Sequence, residues 1–462
     1  MLFHSQVFIL GFLPLVVALY YAVAQRPAAR AWVLIVASWA FYAYWDPRLL
    51  PLLVLSVTAN WCLSRLTERV TGRTLIAAGV ILNLGLLGFF KYADFFGGTI
   101  AAITGQTFTP WGIVLPLGIS FFTLQQISYL VDRRRGTAPL YGFRDYALYV
   151  SFFPQLIAGP IVRHNEIMHQ YRESPTRPGL DERISRGLTL FVIGLVKKTL
   201  IADELARIAD PVFAAAAAGA PVGFADGWIA MLAFGLQIYF DFSAYSDMAL
   251  GLGALFGLSL PVNFNAPYRA TSIREFWHRW HMTLSRFLRD YLYVPLGGNR
   301  HGPARQMAAV AAVMLIGGLW HGAAWTFVVW GAVHGAALVV NHAWRRFGPP
   351  LPRWLGWLLT MAVVFAAFVV FRATSFEAAQ AVLVAVAGAE GWSLALDHAT
   401  EGHRWLVPVA AAICLLLPTS QRIALEALPP RRAAGALAAL VLVFTTIKGG
   451  GEYYSEFIYF QF

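Results

Sequence analysis

The chain has 462 residues, 58% hydrophobic and 13% charged, with a mean hydropathy of +0.59. Soluble domains carry about 25% charged residues, so composition excludes a soluble protein and predicts an integral membrane one. The net charge of +11, from 35 basic and 24 acidic residues, would suit nucleic acid. The basic residues instead gather in loops between apolar runs, as the positive-inside rule requires; the expected partner is membrane lipid, not nucleic acid.

Apolar runs predict spans at 7–23, 31–45, 49–64, 74–90, 112–131, 187–206, 228–258, 307–320, 325–343, 354–371, 404–418 and 433–447. The first lacks a basic leader and a cleavage site, so it reads as a retained span rather than a signal peptide. Several are short, which predicts tilted or partial crossings. Loops after the first, third and fifth spans carry Arg26 and Arg30; Arg65, Arg69 and Arg73; and Arg133, Arg134 and Arg135. Those after the second and fourth carry only Arg48 and Lys91. The alternation places the N-terminus outside and Arg133–Arg135 in the cytoplasm.

Tyr146 to Val162 is apolar but contains Pro154 and Pro160. Proline interrupts regular helix, so this stretch reads as re-entrant or as broken helices packed in protein. The 228–258 span carries Asp241, Ser243, Tyr245, Ser246 and Asp247. Carboxylates in a membrane are expensive and need partners; they line a polar path or bond between helices.

The loop 259–306, cytoplasmic by the same alternation, interleaves seven arginines with Trp277, Trp280, Phe287, Tyr291 and Tyr293. That pattern predicts an amphipathic helix at the interface. His278 and His281, three apart, would share a helix face, but neither an H-E-x-x-H pattern nor a nearby cysteine supports a metal site. Asn263, Asn265 and Pro267 read as turn chemistry, and Arg289-Asp290 as an ion pair suited to burial.

From Gln306 to Asn341 the only ionisable side chains are His321 and His334. With a helix starting near Gln306, His321 lies ~22 Å along it, inside a ~30 Å hydrocarbon layer. An imidazole there is a functional-site hypothesis and suits proton transfer near neutral pH; the alternative is a structural histidine bonded to a carbonyl. Cys62 and Cys414 lie in apolar runs and offer neither a metal spacing nor a disulfide framework. P-loop, G-x-S-x-G and H-x-x-x-x-D patterns are absent.

Five stretches carry a resemblance. They are Leu115 to Tyr129 (LPLGISFFTLQQISY), Phe153 to Pro160 (FPQLIAGP), Tyr239 to Asp247 (YFDFSAYSD), Asn263 to Tyr268 (NFNAPY) running on through Phe276 to Ser285 (FWHRWHMTLS) and Arg289 to Tyr293 (RDYLY), and Gly318 to Trp325 (GLWHGAAW); the end, Glu456 to Phe462, agrees. In these the chain resembles the membrane-bound O-acyltransferases, above all the bacterial branch that includes the membrane subunit of alginate O-acetylation. The resemblance implies one all-α polytopic membrane domain over 1–462, with core motifs at 112–162 and 234–343. About 11–12 transmembrane helices, with re-entrant and interfacial helices, would surround a central tunnel.

It further implies that His321 and His281 are catalytic, and that Trp320, Asn265, Arg289, Asp290, Asp241, Tyr245, Asp247 and Gln155 belong to the tunnel or the donor site. His278 departs from the family pattern and receives no role. The implied activity is acyl transfer, with acetyl-CoA or another acyl thioester as donor and no bound metal or cofactor. The acceptor would be an extracytoplasmic glycan, reached through an exported acyl-accepting protein at a bacterial cytoplasmic (inner) membrane. A transporter or flippase of an acyl or glycan precursor is the alternative from another class, and a lipid or protein acyltransferase the alternative within the family. The outer loops, near 207–227 and 372–403, show no obvious aromatic platform for sugar.

Overall fold

The computed structural model describes residues 1–67, 73–389, 391–399, 401–427, 441–442 and 457–458. Every regular element among them is helical. Most of the expected span at 433–447, together with Arg69, Glu456 and 459–462, lies outside the described residues. Five described helices are long and apolar enough to cross a membrane: Pro47–Leu66, Thr74–Thr104, Pro303–His321, Trp325–Phe347 and Arg353–Arg372. A sixth arises if Leu406–Leu416 and Ser420–Ala427, bent by 61°, count as one.

Two expected boundaries are displaced. The helix predicted to end at residue 90 runs from Arg73 to Thr104, so Lys91 lies inside it and not in a loop. A lone lysine does not break helical hydrogen bonding; the helix stops where Gly105 takes φ +70, a conformation glycine adopts without a Cβ penalty. The next helix, Ile119–Arg134, starts seven residues later than the apolar run at 112.

The chain divides into two compact units. The first comprises Met1–Leu195, Tyr245–Val262 and Ser420–Gly451. Its centre is the segment 146–162, buried throughout. Helix Phe143–Ser151 breaks at Phe152, a single turn Phe153–Leu156 follows, and a turn and irregular chain lead to a short helix at His164. The break falls just before Pro154, where the missing N–H and the fixed φ forbid continuation. A Cβ on Gly118 (φ +72) would strike the Leu156 carbonyl, so glycine is required for this turn to seat. Two buried amides bond between helices: Asn83 Nδ2 donates to Asn60 Oδ1 (2.6 Å) and Gln126 Nε2 to Ser56 Oγ (3.0 Å).

The second unit comprises Val196–Ala244, Asn263–Thr419 and Glu452–Phe462. Helices Pro303–His321 and Trp325–Phe347 form its most extensive helix pair. A Cβ on Gly318 would collide with the Phe327 carbonyl and one on Gly331 with the Met314 carbonyl, so the two backbones touch. Small residues at such a contact give close packing where lipid supplies no hydrophobic drive. Asp226, fully buried, accepts from the backbone N–H groups of Asp397, His398 and Ala399 at 3.0–3.2 Å and fixes that loop. Beside it Trp392, 76% exposed, packs on Phe224 with ring centroids 4.9 Å apart. The pair joins the 207–227 and 372–403 stretches, with Trp392 exposed and Phe224 half-buried; the sequence separation between residues 224 and 392 concealed it.

The single amphipathic helix expected in 259–306 is also corrected. Ser272 caps Ile273–Arg279, its hydroxyl accepting from the Glu275 N–H. The chain is then extended at Trp280 and left-handed at His281 (φ 42, ψ 52), and a new helix covers Met282–Leu288. Ile273, Phe276 and Trp277 are buried while Arg274 and His278 are exposed, so the first short piece is amphipathic; Met282–Leu288 has no exposed residue.

Candidate active site

His321 is the last residue of Pro303–His321, and Gly322, Ala323 and Ala324 turn the chain into the next helix. A Cβ on Gly322 would run into the Phe327 ring, so glycine is needed for the turn to close. The imidazole is 4% exposed. Trp320 and Trp330 lie 5.0 Å from it and Phe371 5.5 Å, all edge-on. Such contacts each contribute ~0.5–1.5 kcal/mol and fix the ring's orientation.

His281 is the second imidazole of this centre, 6.5 Å from His321 and 6.2 Å from Trp320 between ring centroids. It is fully buried, with Phe242 edge-on at 4.7 Å. Its Nδ1 lies 3.2 Å from Asn263 Oδ1, which also accepts from the Thr283 N–H (3.2 Å) and hydroxyl (2.9 Å). Desolvation pushes the His281 pKa down to about 3, so the ring is neutral at ordinary pH. Two imidazoles within an aromatic, water-poor enclosure suit proton transfer to and from a small hydroxyl.

The remaining candidates have these surroundings. Asp241, in the second unit, is buried against Lys198, whose Nζ is 2.9 Å from both Asp241 Oδ1 and Asp203 Oδ1; its other oxygen accepts from the Ile458 N–H at 2.8 Å. That carboxylate sits in a buried ion-pair network. Asn265 is exposed and pairs through its backbone with Arg279; the buried asparagine at the histidine is Asn263, two residues earlier. Arg289 and Asp290 do pair, at 2.6 Å, but Arg289 is 61% exposed, so the ion pair expected to be buried is at the surface. It therefore contributes little to stability.

Gln155, Tyr245 and Asp247 belong to the first unit. Gln155 Nε2 donates to the Tyr149 carbonyl (2.6 Å), Tyr245 stacks on Phe3 at 4.6 Å, and Asp247 accepts from Gln421 Nε2. The shared face expected for His278 and His281 does not form, because the helix between them ends at Arg279: His278 is exposed and His281 buried. Among the described residues no group of three His, Cys, Asp or Glu side chains is arranged to hold a metal.

Sequence reasoning missed Asn263 as the partner of His281 and Thr283 as the partner of Asn263, and Trp330, Phe371 and Phe242 as ring neighbours of the two histidines. No local signal in the sequence ties Asn263 to the turn 18 residues on, because the helix break at Trp280 and His281 is visible only in the fold.

The family described as MBOAT, membrane-bound O-acyltransferase, matches residues 83–380. The chain is 43% identical over 430 residues to the peptidoglycan O-acetyltransferase of Helicobacter pylori, covering 85% of this chain and 81% of that one. It is 36% identical to the probable alginate O-acetylase of Pseudomonas putida over the full length of both. The teichoic acid D-alanyltransferase of Streptococcus thermophilus is 28% identical over 280 residues, 55% of this chain and 68% of that protein.

Proposed function

Because the chain belongs to the membrane-bound O-acyltransferase family, we propose that this multi-pass enzyme moves an acetyl group from a cytoplasmic thioester to a hydroxyl destined for an extracytoplasmic glycan. The observation that carries the reading is the His321 imidazole, held at a helix end by Trp320, Trp330 and Phe371 with His281 beside it. His321 takes the proton of the acceptor hydroxyl as its oxygen attacks the thioester carbonyl carbon. The tetrahedral adduct collapses, the carbon–sulfur bond breaks, and the thiolate receives the proton back. The products are an ester and a free thiol, with no oxidant or reductant consumed.

Acetyl-CoA is the proposed donor, its phosphates suited to arginines of the 259–306 loop. The names of the relatives support a glycan as the final acceptor. A bacterial cytoplasmic membrane and an exported acyl-carrying partner complete the reading. The test is His321→Ala. Loss of a general base costs ~10²–10⁴-fold in rate, so glycan acetylation should fall to that extent while the variant inserts and purifies normally. Near-normal acetylation would sink the assignment.

A further inference from the structure

His281 occupies an unusual place. It precedes the helix Met282–Leu288 and so stands at the cap position, with left-handed backbone (φ 42, ψ 52). Cap residues are ordinarily Ser, Thr, Asp or Asn, whose side-chain oxygen accepts from the first free N–H groups of the helix. The histidine ring makes no such cap bond. Asn263 supplies the acceptors instead. Its backbone carbonyl accepts from the Met282 N–H at 2.9 Å, and its Oδ1 accepts from the Thr283 N–H at 3.2 Å and the Thr283 hydroxyl at 2.9 Å. One residue thus caps the helix from 18 positions upstream of the histidine.

The same oxygen fixes a proton. A backbone N–H can only donate, so the Asn263 atom facing Thr283 is the amide oxygen and not its nitrogen. That oxygen lies 3.2 Å from His281 Nδ1 and has no hydrogen to offer. The contact is a hydrogen bond only if Nδ1 carries the proton, and a neutral imidazole protonated at Nδ1 keeps its lone pair on Nε2. Three donors meet an oxygen with two lone pairs, and only the Thr283 hydroxyl can rotate to another acceptor. The two N–H bonds are therefore the essential ones.

We propose that Asn263 is a positioning residue that locks His281 in the Nδ1–H tautomer, with Nε2 as its basic nitrogen, and that it caps the following helix in trans so that a histidine can stand at the cap position. The role in transfer rests on the reading of His281 as part of the acyl-transfer centre; the tautomer itself does not.

The experiment is nitrogen-15 solid-state NMR of the full chain, histidine-labelled and reconstituted in lipid, with His281→Gln as the spectrum that assigns the His281 signals by difference. The expected result is a protonated Nδ1 and an unprotonated Nε2 at His281. Thr283→Val should keep that signature, and Asn263→Leu should lose it or show both tautomers. A wild-type His281 protonated at Nε2 alone, or an Asn263→Leu spectrum with the wild-type tautomer, would overturn the proposal.

A second readout separates positioning from folding. Asn263→Leu should lower kcat by ~10²–10⁴-fold, the order expected when a catalytic base is misprotonated or lost, with the KM for the acyl donor within about threefold. Asn263→Asp, which keeps the acceptor oxygens, should recover part of the rate. A loss of rate that merely follows loss of folded protein would also overturn it. Failure of the transfer reading shows up separately, as an active His321→Ala chain with the His281 tautomer as described.

Discussion

The two histidines three residues apart in Phe276–His281 have opposite fates, and their substitutions should show it. His278 is exposed, so His278→Ala should change stability by less than about 0.5 kcal/mol and leave acyl transfer near normal in a membrane assay. His281 should behave otherwise, also in its pH dependence. Its pKa in the fold is about 3 against an ordinary 6.5. Between those values the unfolded chain binds a proton that the folded chain refuses, so stability falls as pH falls through that window, by up to ~1.4 kcal/mol per pH unit. Melting of detergent-purified protein between pH 7 and pH 4 should therefore be less steep in His281→Gln; equal slopes would mean that His281 titrates normally in the folded chain.

At the scale of elements, the pair Pro303–His321 and Trp325–Phe347 depends on backbone contact at Gly318 and Gly331. Gly318→Val would press two methyl groups against the Phe327 carbonyl. Overpacking of this kind costs about 1–3 kcal/mol, and the His321 cage, which takes Trp330 and Phe371 from the neighbouring helices, would open with it. The variant should melt lower and lose activity more than stability; unchanged activity would show that the cage does not depend on this contact. Lys198→Met, by contrast, leaves Asp203 and Asp241 buried without their cation, and breaking a buried ion pair costs about 3–5 kcal/mol. A melting temperature unchanged by that substitution would contradict the burial described.

Much of this scale was legible in the sequence. Most apolar runs among the described residues located a helix, though Asp203–Ala217 and Phe376–Val386 were not expected; the two prolines located the break in 146–162, because each signal is local. Lys91 misled because a charge marks a loop only statistically, whereas the helix ended at Gly105. Asn263, Trp330 and the Phe224–Trp392 pair were not legible as partners, since nothing in a sequence reports which distant turn meets which helix.

For the whole molecule the predictions concern sides and partners. A cysteine placed at Arg135 or Arg300 should escape a membrane-impermeant reagent added to intact cells, and one at Arg48 should react; labelling at Arg300 from outside would reverse the proposed direction of transfer. The purified chain in liposomes, given acetyl-CoA on the cytoplasmic face and glycan outside, should acetylate the polymer poorly until an exported acyl-accepting protein is added. Transfer at a cellular rate without it would remove the partner. Trp392→Ala then asks whether the exposed tryptophan that packs on Phe224 takes part in that docking: a selective rise in the partner concentration needed for half-maximal rate is the expected result, and an unchanged value would exclude it.

The helix that ends at His321 begins at Pro303, 18 steps and ~27 Å away at 1.5 Å per residue. Its start adjoins Arg300 and Arg305, and the return helix ends at Arg345 and Arg346, so both basic ends of the hairpin lie at the same pole and the imidazole at the other. If the basic pole faces the cytoplasm, the thioester carbon must travel most of a hydrocarbon thickness to reach the base, while the acceptor hydroxyl travels little. Reach then becomes a criterion for donors. An acetyl group at the tip of a long, thin arm, as in the pantetheine of coenzyme A or of a carrier protein, can be delivered while its charged head stays among the arginines. Acetyl phosphate is comparably activated but carries its charge beside the acetyl group, and should fail as a donor at any concentration.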